Sequence, residues 1–88
     1  MISATSAIEV HSGPYGAVAE VRVEMTGEGD VVGFYRLATR IGTESGCATH
    51  RILHRHNGTW AGRLTLYCAP ERACELRADI DKMVAEGA

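Results

Sequence analysis

Apolar and polar residues alternate through 17–25, with Ala17, Ala19, Val21, Val23 and Met25 in one phase and Glu20, Arg22 and Glu24 in the other. A period of two marks a half-buried strand. A weaker alternation, with Ile2, Ala4, Ile8 and Val10 at even positions, predicts a first strand over 2–10. Between them Ser12-Gly13-Pro14-Tyr15-Gly16 is dense turn chemistry, and Gly27-Glu28-Gly29-Asp30 is a second loop. From Val31 to Ile41 the pattern resumes: Val31, Tyr35, Leu37 and Ile41 fall in phase, with Phe34, Arg36, Ala38 and Arg40 on the reverse. This predicts a strand over 31–41, closed by the turn Gly42–Gly46.

The next stretch, Cys47 to Cys68, organises the chain. Asn57-Gly58 between two β-rich runs signals a hairpin, because both central residues of a type I′ turn need positive φ. A two-residue loop there predicts strands over 47–56 and 59–68 with His56 opposite Thr59. Trp60 then faces Arg55, Leu64 faces Arg51, Leu66 faces Thr49 and Cys68 faces Cys47. Leu53, Trp60, Leu64 and Leu66, with both cysteines, share an apolar side. His50, Ile52, His54, His56, Arg63, Thr65 and Tyr67 share the other.

One helix is expected, over 70–86. Pro70 suits a first helical position, Glu71 and Glu75 suit the positive end of the helix dipole, and Gly87 suits its stop. Ala73, Leu76, Ile80, Met83 and Val84 make its apolar stripe. Short connections favour antiparallel neighbours. The expected fold is therefore α+β: an antiparallel four- to five-stranded β-meander with one C-terminal helix packed on one face, in a single domain over 1–88.

Composition changes this picture little. At 88 residues, with 45% hydrophobic and 23% charged, the chain is an ordinary globular one. It contains no apolar run of membrane-spanning length and no leader pattern, which makes the cytoplasm the expected setting. Charge is distributed unevenly. Residues 1–30 and 71–88 carry acidic excesses, whereas 31–70 hold Arg36, Arg40, Arg51, Arg55 and Arg63 against Glu44 alone. Eight arginines to one lysine fit a GC-rich bacterial or phage background.

Candidate chemistry is sparse. Cys47, His50, His54 and His56 spell C-x2-H-x3-H-x-H, but on a strand Cys47 points away from the imidazoles. His50 and His54 lie roughly 13 Å apart at about 3.3 Å per residue. Only His54 and His56 can share an ion, fewer ligands than zinc normally takes. Cys47 and Cys68 sit at a non-hydrogen-bonded pair, where a disulfide is feasible, although a reducing setting favours two packed thiols. No phosphate loop, nucleophile elbow or H-E-x-x-H motif is present, so neither an enzyme nor a cofactor is expected.

No double-stranded RNA-binding, ferredoxin-like or RRM pattern is legible either. The expected function is a small non-enzymatic protein-interaction module with a charged protein partner and the capacity to dimerise through an edge strand. A phage-type inhibitor of a host complex, such as an anti-CRISPR protein, or a regulatory subunit is its concrete form. The expected contact residues are His50, His54, His56, Arg63, Tyr67, Arg36 and Arg40. The alternatives are nucleic-acid binding by the His/Arg/Tyr face of the hairpin, or metal sensing by His54 and His56.

Overall fold

In the computed structural model, which describes residues 2–87, the chain runs as two β-hairpins, each followed by a helix. β1 (Ser3–Gly13) and β2 (Gly16–Glu28) form the first hairpin; β3 (Thr49–His56) and β4 (Thr59–Cys68) form the second. Helix α1 (Val32–Ser45) joins them, and α2 (Ala73–Glu86) follows a 3₁₀ turn at Pro70–Arg72. The hairpins meet through β2 and β4, giving an antiparallel sheet of order β1-β2-β4-β3. This is the α+β architecture expected from the alternation and the C-terminal helical stripe.

The second hairpin keeps the register counted from its turn. Asn57 (φ 48°) and Gly58 (φ 78°) both take the left-handed region that a type I′ turn demands. His56 pairs with Thr59, and the ladder runs to Thr49 opposite Leu66. β3 begins at Thr49 rather than Cys47, so the Cys47–Cys68 pair lies two positions beyond the ladder's end.

The segment 31–41 is corrected: it is part of α1, not a strand. Phe34, Leu37, Ala38 and Ile41 stand at the i, i+3, i+4, i+7 spacing of a helix and are buried together. The Asp30 carboxylate accepts a hydrogen bond from the Val32 N–H (2.8 Å) at the start. Gly46, at φ 67°, ends the helix by donating its N–H to the Gly42 carbonyl (3.2 Å). The sheet accordingly has four strands, and two helices cover it.

Both helices lie on one face. The core joins Ala19, Val21, Val23 and Met25 of β2 and Trp60, Leu64 and Leu66 of β4 to Phe34, Leu37 and Ile41 of α1 and Leu76, Ile80 and Met83 of α2. α2 lies over β1, where Arg77 and Asp81 both hold the Ser6 hydroxyl. Arg72 ties the two helices at the far end, donating to the Ser45 carbonyl at 2.7 Å.

β1 and β2 outrun the rest of the sheet. The last β2–β4 pair is Ala19–Cys68, and every residue from Glu9 to Val18 is exposed. The first hairpin thus projects as a two-stranded arm turned at Pro14-Tyr15, with Tyr15 wholly in solvent. β2 has 13 residues, which at about 3.3 Å of rise each is comparable with the 43 Å long axis of the molecule.

Candidate interaction face

Side chains on the uncovered face come from all four strands in rows set by the register. One row is Glu9, Glu20, Tyr67; the next is Ala7, Arg22, Thr65, His50. Thr5, Glu24, Arg63 and Ile52 follow, then Ser3, Thr26, Ala61 and His54. The face is acidic over β1 and β2 and imidazole-rich over β3. Ile52 (39% exposed), Tyr67 (45%) and Val18 (39%) add apolar area among these charges.

Of the expected contact residues, the structure gathers His50, His54, His56, Arg63 and Tyr67 on this face. Arg36 and Arg40 are elsewhere, on α1 across the sheet. Their position follows from the helical conformation of the 31–41 segment. Arg40 is engaged by Glu44 (2.7 Å) and Glu86 (2.8 Å), and these carboxylates raise its pKa.

Ion pairs offset much of the basic charge on the face. Arg63 pairs with Glu24 at 3.1 Å. Arg22 binds Glu20 and reaches Glu9 at 3.3 Å. The Arg22 hydrogen bond holds the Glu20 carboxyl below its ordinary pKa; partial desolvation opposes this, while the charges of Arg22 and His11 and a hydrogen bond from Tyr67 assist it. Among the described residues, Arg36, Arg51 and Arg55 form no ion pair, and none of the three lies on this face.

His54 and His56 belong to no cluster of ligand atoms among the described residues. The His56 Nε2 instead meets the Asn57 side-chain amide at 3.1 Å. Glu9, His11 and Glu20 do converge, with ligand atoms within 4.8 Å of one another. There the Arg22 guanidinium already supplies the positive charge. An open groove of about 550 Å³ beside His54 and His56 is lined by Thr26, Glu28, Thr59 and Trp60.

Cys47 and Cys68 are free thiols, each partly buried against the core. Burial foremost, then the neighbouring Cys47, pushes the Cys68 thiol up, while the Arg72 charge opposes the shift. The Arg72 guanidinium also lies 3.6 Å from the Cys47 Sγ.

Sequence reasoning overlooked the Glu9, His11, Glu20, Arg22 group. The signal was present: with Pro14-Tyr15 as a two-residue loop, the counting used at Asn57-Gly58 places Glu9 opposite Glu20. The chain matches no protein-family model, no curated protein and no solved structure.

Proposed function

We propose that this chain is a small non-enzymatic protein-interaction module that binds its partner through the uncovered sheet face and the adjoining arm. One observation carries the reading. Both helices lie on the same side of the sheet, and the opposite side, with Tyr67 and Ile52 exposed among paired charges, continues into an arm whose residues are all exposed. A mixed polar face with aromatic anchors and charge graded across it suits a protein surface of complementary charge. The pairing of Arg22 and Arg63 with glutamates leaves little free cation for phosphate and disfavours nucleic acid. The concrete form we propose is an inhibitor or regulatory subunit acting on a larger complex in the cytoplasm, of the kind phages direct at their hosts; small size and the arginine-rich composition support it. No helix among the described residues is long and apolar enough to cross a membrane.

The test is affinity capture of the tagged chain from bacterial lysate with nuclease, alongside the Arg63→Glu, Tyr67→Ala and Tyr15→Ala variants. A stoichiometric, nuclease-resistant protein that is lost on Arg63→Glu or Tyr67→Ala supports the reading. Nucleic acid as the sole stable companion replaces it with the phosphate-binding one. Undiminished capture by all three variants rules out this face.

A further inference from the structure

The two edges of the sheet are unequal. β3 carries Arg51 and Arg55 on one side and His50, His54 and His56 on the other, a density of charged and polar groups that discourages strand addition. β1 has a single carboxylate, Glu9, and no lysine, proline or bulge over its 11 residues. Counted from the closing pair Gly13–Gly16, odd residues of β1 exchange main-chain bonds with β2, and even residues direct theirs outward. Arg77 covers one end of this open edge, donating to the outward carbonyl of Ser6 at 2.9 Å. Ile8, Val10 and Ser12 keep outward groups with no partner among the described residues.

We propose that this free stretch of β1 pairs antiparallel with the same stretch of a second copy, about a two-fold axis at Val10, to make a continuous eight-stranded sheet. The register follows from two constraints. An axis at Ile8 or Glu9 would need the Ser6 carbonyl that Arg77 occupies, and an axis at Glu9 would also set Glu9 against itself. An axis at Val10 pairs Val10 with Val10 and Ile8 with Ser12 of the second copy, using only free groups. It places Glu9 opposite His11 of the second copy, twice, at non-hydrogen-bonded positions where side chains come closest. Val10, 54% exposed in the single chain, gains an apolar neighbour. The inference concerns copies of this chain and is independent of the partner proposed above.

Light scattering and sedimentation of the purified full chain, from micromolar to millimolar concentration, test it. The expected mass is twice 9.5 kDa at the upper end. Val10→Pro removes an outward N–H that has no bond within the chain, a substitution edge strands accept, and should give a monomer with an unchanged circular dichroism spectrum. Glu9→Lys should weaken the dimer at least tenfold, and the charge swap Glu9→Lys with His11→Glu should restore it. Should Val10→Pro disturb the fold, the charge swap alone decides. A wild-type monomer throughout, a dimer indifferent to Glu9→Lys, or no rescue by the swap overturns the proposal.

Discussion

Gly62 of β4 lies under the ring of Phe34 in α1, so close that a Cβ built on the glycine would overlap the ring. The absence of one methyl group lets α1 settle onto the sheet. Gly62→Ala should push Phe34 outward and cost about 1–3 kcal/mol, as overpacking does. Urea denaturation measures it. A loss below about 0.5 kcal/mol, the usual range for surface changes, would show that α1 is free to shift.

Trp60, only 3% exposed, packs edge-on against Phe34 with ring centroids 5.6 Å apart. Its Nε1 is buried without a hydrogen-bond partner among the described residues. Leaving a donor unsatisfied costs roughly 1–3 kcal/mol. Trp60→Phe removes that donor along with some volume, so its net cost should stay below about 1.5 kcal/mol. Trp60→Ala should cost about 3–5 kcal/mol. Equal losses in the two variants would mean that the indole N–H is satisfied in solution.

The Arg22–Glu20 pair sets an acid limb for stability. Because the folded pKa of Glu20 is lowered, the stabilisation is complete above the unfolded value near 4.5 and is lost as pH falls through the folded one. Carboxyl titration by NMR should place the Glu20 midpoint below 4.5, and Arg22→Gln should move it upward. A Glu20 midpoint unmoved by Arg22→Gln would assign the shift to another group.

Thiol labelling should be ordered. Cys74 is exposed at the start of α2, whereas Cys68 is partly buried with its thiol pushed up. At neutral pH Cys74 should react first with maleimide and Cys68 well after it, since the thiolate is the nucleophile. Mass spectrometry of timed samples reads the sequence of additions. Prior reaction at Cys68 would mean that Arg72 governs that thiol more strongly than burial does.

What the sequence disclosed was local in origin. The Asn57-Gly58 turn carried its own register, and Ala73 to Met83 carried a helical stripe with Pro70 before it and Gly87 after it. Residues 31–41 misled because Val31, Tyr35, Leu37 and Ile41 satisfy a period of two while Phe34, Leu37, Ala38 and Ile41 satisfy the helical period. Gly33 and the β-branched Thr39 and Ile41 weaken helix propensity further. Asp30 and Gly46, just outside the two ends, were the available cues. The candidate face was half legible: its hairpin half followed from the turn, but the partners Glu20 and Glu24 depend on the long-range pairing of β2 with β4. The arm was hidden for the same reason, since only that pairing shows where β4 stops.

The strand order β1-β2-β4-β3 also bears on how the molecule assembles. Each hairpin closes between neighbours in sequence, and such closures take microseconds. A lone two-stranded hairpin is marginal in water, so neither persists by itself. Among the described residues the β2–β4 seam is the only strand pairing that spans distant sequence, and the α1 segment lies within the loop that it closes. Sealing that seam brings Phe34 over Gly62, completes the sheet and encloses the core in one event. Folding should therefore behave as a single cooperative step whose rate is set by that zipper, and substitutions at Val21, Val23, Leu64 and Leu66 should slow it most.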